Sequence, residues 1–124
     1  MEFSALEIAE QLVRGGERVA DLGSGSGILS ITALRLGAAY AVGVDIDEKA
    51  EDIARENAAY NGFGADRFTA LTGNVLEDLA PVRRYFPDGC DLVLLNIVAD
   101  VIIPLAPVAR QLLRDGGTLL CSGI

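Results

Sequence analysis

The 124-residue sequence contains no histidine. That single absence removes a Ser-His hydrolase, a histidine-ligated zinc site and a histidine general base together. Cysteine is nearly absent as well: Cys90 and Cys121 stand in separate apolar segments, without the spacing of a metal-binding pair. If those segments lie side by side as parallel strands, an offset of about four residues at ~3.3 Å each separates the two by about 13 Å, whereas a disulfide needs Cα atoms within ~7 Å. Both cysteines are therefore expected to be free thiols and small core residues. No apolar run approaches the ~18 residues that span a bilayer. The N-terminus also lacks the basic, apolar and small-residue succession of a secretory signal. A cytoplasmic protein without membrane association is expected. Positive charge is scarce, ten Lys and Arg against eighteen Asp and Glu, giving a net charge of −8 and a pI near 4.3. This is the wrong sign for following a phosphate backbone by counterion release, so direct nucleic-acid binding is not expected. The pair Arg83, Arg84 reads as a solvated face. Repeats, low-complexity segments and linkers are missing too, and the length fits one domain over residues 1–124.

What is present is a 51% hydrophobic chain that alternates strand-like and helix-like segments. "SALEIAEQLVRGG" opens with Ser4 and Glu7 in capping-box spacing and ends at Gly15 and Gly16, predicting a first helix. "RVADL" is a first strand, "ILSITALRLG" a helix stopped at Gly37, and "YAVGVDI" a buried second strand. Asp47 is placed to cap "EKAEDIARENAAYNG", which stops at Asn61 and Gly62, and "DRFTALTG" is a weaker third strand. "NVLEDLAP" suggests one helical turn, and "VRRYFPDG", with exposed-looking Tyr85 and Phe86, a loop. "CDLVLLN" is a fourth strand, "IVADVIIPLAPVARQLL" a helix kinked or divided near Pro104 and Pro107, and "GTLLCSGI" a fifth strand. This alternation predicts an α/β fold: an open parallel five-stranded sheet with helices on both faces.

In such a sheet ligands bind beyond the carboxyl ends of the strands. There the sequence places "DLGSGSG", with Asp21, Gly23, Gly25 and Gly27, then Asp45, Asn74, Asn96, and Ser122 with Gly123. Glycine costs conformational entropy when ordered, so three in five residues suggest a ligand against bare backbone. Asp45 follows the loop by about 20 residues, where a carboxylate accepts hydrogen bonds from both hydroxyls of a ribose. A ligand containing a nucleoside is expected. The dinucleotide fingerprint fits at Gly23 and Gly25 but fails at its third glycine, since Ile28 holds that position and Gly27 comes one residue early. Asp21 would also sit badly beside a pyrophosphate and well beside a cation. An NAD-dependent oxidoreductase is thus the weaker alternative.

The pattern D-x-G-x-G-x-G followed by an acidic residue at the end of strand two resembles the class I S-adenosylmethionine-dependent methyltransferases. "DLGSGSGILSITALRLGA", "VGVDID", "ARENAAYNG", "LLNIVADVIIPLAPVARQLL" and "DGGTLLCSGI" together resemble the catalytic domain of the ribosomal protein L-eleven methyltransferase family. The resemblance implies a Rossmann-like sheet of order 3-2-1-4-5, S-adenosyl-L-methionine as cofactor with S-adenosylhomocysteine as product, and methyl transfer to an amine of a protein, such as a ribosomal protein. It implies that Asp21, Gly23, Ser24, Gly25 and Gly27 receive the methionine end, with Asp21 near its ammonium. Asp45 would hold the ribose, Ile46 the adenine face, and Asn74 with Val75 the adenine edge. Asn96 would lie at the sulfonium methyl and orient the incoming amine as the catalytic residue. The family's upstream recognition domain, its "GTG…H…TT"-like segment and two last strands find no counterpart, which leads to the expectation of a shortened core. From this follow an alternative, a module that holds the cofactor without turnover, and an expected self-association through the fifth strand's edge as a homodimer.

Overall fold

The computed structural model describes residues 5–123. Ten elements follow the alternation read from the sequence: α1 (Ala5–Leu12), β1 (Arg18–Leu22), α2 (Ile28–Arg35), β2 (Tyr40–Asp45), α3 (Glu48–Tyr60), β3 (Phe68–Thr72), α4 (Ala80–Arg83), β4 (Cys90–Ile97), α5 (Ala99–Arg110) and β5 (Leu113–Gly123). The strands form one parallel sheet of order β3-β2-β1-β4-β5. The order reverses direction between β1 and β4, and this switch point opens a crevice at the carboxyl ends of the strands.

Alternation along the strands divides the core between the two faces of the sheet. Val19, Leu92 and Leu94 point to the face covered by α1, α2 and α3, where Leu34, Ala54 and Ala58 pack. Ala20, Leu22, Val93 and Leu95 point to the opposite face, against Val82 and Phe86 and against Leu105 and Ala109 of α5. Arg18 and Arg114 converge on Asp91 at the other end of the sheet, away from the crevice: the Arg18 backbone N–H donates to Asp91 Oδ2 at 2.8 Å and Arg114 Nε donates to Oδ1.

Four sequence expectations change. The segment "VRRYFPDG" is not simply a loop, because α4 reaches into it and Val82 and Phe86, one turn apart, are 1% and 2% exposed. Phe86 is thus a core residue, while Tyr85 is exposed and stacks on Tyr40 with ring centroids 6.4 Å apart. Helix α5 runs undivided through Pro104 and Pro107. Each proline forfeits one backbone hydrogen bond, and buried Leu105 and Ala109 hold the helix to the sheet despite it. β5 begins earlier than expected, at Leu113, and a register irregularity between the Cys90 and Leu92 pairings absorbs the turn-like "RDGG". Cys121 is exposed rather than a core residue, because β5 borders the sheet, and both cysteines are free. The Ser4 half of the proposed capping box lies outside the described residues. Asp47 caps α3 as expected, its side chain accepting from the Lys49 N–H at 3.0 Å. No helix among the described residues is long and apolar enough to cross a membrane.

Candidate functional site

The glycine loop leaves β1 and is tied to β2 by backbone: the N–H groups of Gly23 and Ser24 both donate to the Val44 carbonyl, at 2.7 and 3.0 Å. Gly23 and Gly25 adopt φ of +82° and +53°, conformations that side-chain-bearing residues rarely hold. The two differ in surroundings. A Cβ at Gly23 would meet Ile97 Cγ2 at 2.3 Å, whereas a Cβ at Gly25 would meet nothing within 4 Å. Gly23 is therefore required by packing against β4, and Gly25 keeps a space open. Gly27 serves a third purpose, since a Cβ there would press on Ala54 of α3 at 3.2 Å. The glycine that seemed one residue early for a dinucleotide fingerprint is the close-packing glycine of this loop. Ser24 sits over Gly43, where a Cβ would lie 2.9 Å from the serine Cβ.

Asp45 closes the loop from the end of β2. Its Oδ2 accepts from the Gly25 N–H and its Oδ1 from the Asp47 N–H, both at 2.9 Å. Each oxygen retains a further lone pair, so the half-exposed carboxylate is held in one orientation and still has acceptor capacity. Beyond it, Ile46 is 74% exposed. Asn74 is exposed and shapes the turn after β3, its Oδ1 accepting from the Leu76 N–H at 3.0 Å, while Val75 is buried beneath.

These residues enclose a cleft of about 390 Å³. Of the predicted residues, Gly23, Asp45, Ile46, Asn74 and Val75 line it. Leu22, Leu76, Ile97, Val98, Val101 and Leu105, which sequence reasoning missed, make up much of its apolar wall. Ser24, Gly25 and Gly27 form the adjoining loop without lining the cleft. Asp21 and Asn96 also lie outside it, and together: Asp21 pairs in register with Leu94, and strand alternation puts Leu94 and Asn96 on the same face. Asp21 is 1% exposed, and its Oδ2 accepts from Ser30 Oγ at 2.8 Å. Burial pushes its pKa up to about 6 against the pull of the Ser30 hydroxyl and the Ser30 backbone N–H, and the negative charge of Asp45 adds to the rise. Its Oδ1 is buried without a partner.

Two supporting residues also escaped the sequence reading. Asn57 reaches from α3 to the loop, Nδ2 donating to the Ser26 carbonyl at 2.9 Å. Ser30 occupies the buried side of α2 at 0% exposure. A hydroxyl on an otherwise apolar helix face needs a partner, and that was the signal available for it. No cluster of three or more potential metal-binding side chains occurs among the described residues.

A family model described as "Ribosomal protein L11 methyltransferase (PrmA)" matches residues 3–124. The ribosomal protein L11 methyltransferase of Desulforamulus reducens is 41% identical over 119 residues, covering 96% of this chain and 36% of that protein. The chain thus spans about a third of the length of the curated relatives it matches. The crystal structure of the ribosomal protein L11 methylase from Lactobacillus delbrueckii subsp. bulgaricus superposes with a TM-score of 0.76 at 32% identity, over 90% of this chain and 53% of that one. The Bacillus cereus O-methyltransferase, solved in complex with SAH, has the same TM-score of 0.76 at 22% identity, over 91% of this chain and 54% of that one, a likeness of fold alone. Matched by the family model over residues 3–124 and 41% identical to a curated member over 96% of its own length, this chain belongs to the ribosomal protein L11 methyltransferase (PrmA) family.

Proposed function

We propose that this chain is an S-adenosyl-L-methionine-binding methyltransferase core, a single cofactor-binding unit over residues 1–124 working in the cytoplasm, and that the reaction it serves places a methyl group on an amine nitrogen of a ribosomal protein. The observation that carries the reading is the Asp45 carboxylate, oriented by Gly25 and Asp47 at the rim of a cleft with an apolar wall. The donor set fits the cofactor. Asp45 has acceptor capacity for ribose hydroxyls, and Ile46 and Val75 offer apolar surface for adenine, with Asn74 at its edge. Gly25 leaves backbone bare where the methionine end would run, alongside Gly23, Ser24 and Gly27. The orphaned Asp21 Oδ1 calls for a donor such as an ammonium.

When bound, the cofactor supplies an electrophilic methyl on a sulfonium. The chain's own residues then need only bind, align and exclude water, because in-line transfer to an amine relies on positioning and partial desolvation. Neither a nucleophilic side chain nor a histidine base is called for. Asn96, on the Asp21 face of β4, has a side-chain carbonyl suited to orient the amine, and water accepts the amine's proton. β5 is an edge of the sheet in this chain, with Thr118 and Cys121 exposed. Unpaired backbone groups on such an edge favour pairing with a second copy, and we include a homodimer through β5 in the proposal.

Calorimetry of the 124-residue chain with S-adenosylhomocysteine, alongside NADH, is the direct test. Binding of the first and not the second is expected. Binding of NADH alone, or of neither, refutes the reading. A turnover assay with amine-bearing ribosomal proteins separates an active core from a module that holds the cofactor without transferring its methyl group.

A further inference from the structure

Asp21 and Ser30 are the two buried polar residues of the described core, and they are bonded to each other. Enclosing an ionisable carboxylate is costly unless donors satisfy it. Ser30 satisfies Oδ2, while Oδ1 has no partner. The Ser30 backbone N–H also pulls on the carboxylate, and the rest of the surroundings offer little. Asp21's register partners are Gly43 on β2 and Leu94 on β4, and Ser30 is flanked on α2 by buried Leu29 and Ile31. Asp45, the charged group that bears on Asp21, carries the same sign, and none of the described ion pairs includes Asp21. Ser30 therefore helps this carboxylate stay ionised beneath the glycine loop through both its hydroxyl and its backbone N–H, and the hydroxyl, bonded to Oδ2, fixes which oxygen is left for a ligand.

We propose that Ser30 is a positioning residue of the cofactor site, its hydroxyl anchoring Oδ2 of Asp21 so that Oδ1 meets the amino-acid ammonium of the ligand as an anion. This inference rests on the cofactor reading above. It assigns Ser30 no contact with the ligand, and a change at Ser30 acts on binding only through Asp21.

The test uses the full chain and two readouts. Carboxyl carbon NMR follows the titration of Asp21 without ligand, and calorimetry follows S-adenosylhomocysteine affinity from pH 5 to 8. Loss of a hydrogen bond to a charged group moves a titration by ~1–2 pH units. Ser30→Ala is therefore expected to raise the Asp21 midpoint by that amount and to displace the pH profile of affinity upward with it, weakening binding about tenfold near pH 6.5. In an Asp21→Asn background, Ser30→Ala is expected to leave the profile unchanged. Should the alanine variant fail to fold, Ser30→Cys keeps the size of the side chain with only a weak S–H donor and moves both readouts in the same direction. An Asp21 midpoint that does not move overturns the proposal whether or not the ligand binds. A midpoint that moves without the affinity profile following it also overturns the proposal, leaving ribose and adenine recognition intact. Failure of the unmodified chain to bind S-adenosylhomocysteine at any pH refutes the cofactor reading, and the proposal falls with it.

Discussion

Asparagine at position 45 is sterically conservative and chemically severe. In the native chain both carboxylate oxygens accept backbone N–H groups, Gly25 on Oδ2 and Asp47 on Oδ1, each at 2.9 Å. An asparagine has one acceptor oxygen and one NH₂ group, so whichever way the amide turns, its Nδ2 confronts one of these two N–H donors. One hydrogen bond is lost and one backbone donor is left facing another. Each such defect costs about 1–3 kcal/mol when water cannot relieve it, and the half-exposed position of Asp45 sets the expectation at the lower end, about 1–2 kcal/mol of loop order. A ribose held by the same side chain loses a charge-assisted acceptor in addition, worth about 1.5–3 kcal/mol. The sum predicts S-adenosylhomocysteine binding weakened by at least about sixtyfold for Asp45→Asn, where every 1.4 kcal/mol is tenfold. Asp45→Ala, which loses both acceptors but places no donor against the loop, should also bind at least about tenfold more weakly and need not be the worse variant. Calorimetry measures the affinities, and hydrogen exchange at the Gly25 amide reports the loop. Native affinity in Asp45→Asn would show that neither the loop contact nor the ribose role is real. Weakened affinity with unchanged Gly25 protection would retain the ribose and remove the loop.

Gly23 and Gly25 should separate by mechanism. Gly23→Ala is expected to lower stability through the 2.3 Å approach to Ile97 and to be partly rescued by Ile97→Ala, whereas Gly25→Val, opposed by φ of +53° and filling the open space, should lose some stability but lose the ligand in the folded protein; thermal melts with calorimetry check both, and ligand binding by folded Gly25→Val refutes the assignment. Asp21, raised from 3.8 to about 6 by burial, binds a proton more readily folded than unfolded, so it removes stability as pH climbs between those values, and the full cost of about 3 kcal/mol applies above pH 6. Asp21→Asn should therefore stabilise the ligand-free chain by up to about 3 kcal/mol at pH 7.5 and by nothing near pH 4, in denaturant titrations; an equal effect at both pH values would be inconsistent with a buried anion. Asn96→Ala should leave S-adenosylhomocysteine affinity intact and lower methyl transfer, and loss of affinity in a folded variant contradicts the catalytic role. Sedimentation should find the chain associated at tens of micromolar or more, and a lysine at Thr118 on the β5 edge should reduce it; a clean monomer rejects the edge-pairing idea.

The parts of the fold legible in the sequence were those set by local chemistry. Strands bounded by glycine or aspartate, such as Arg18–Leu22 and Tyr40–Asp45, and a helix capped by Asp47 show themselves by pattern and punctuation. Sequence reading failed where long-range burial overrides the local signal. Nothing in "VRRYFPDG" announces that Phe86 is buried, because the cluster it joins draws Val93, Leu95 and Leu112 from distant segments. Likewise two prolines signal a broken helix at α5 only if the helix must stand by its own hydrogen bonds, and packing relieves it of that need.

The candidate site divides along the same line. Asp45 and the glycines were legible because they punctuate strand ends by residue type, even though Gly23 and Gly27 are also dictated by packing on Ile97 and Ala54. The apolar wall was not, since Ile97, Val98 and Val101 read as ordinary core residues until the sheet order brings the end of β4 beside Gly23. The 2.3 Å approach to a Cβ at Gly23 then ties the two together: the residue that shapes the cleft also dictates a glycine in the loop. Ile97 is thereby placed to couple the strand carrying Asn96 to the loop proposed to receive the methionine end, so that changes at Ile97 should disturb both. Ile97→Ala tests this, with weaker S-adenosylhomocysteine binding expected beside slower methyl transfer; native values for both would leave Ile97 as core packing alone.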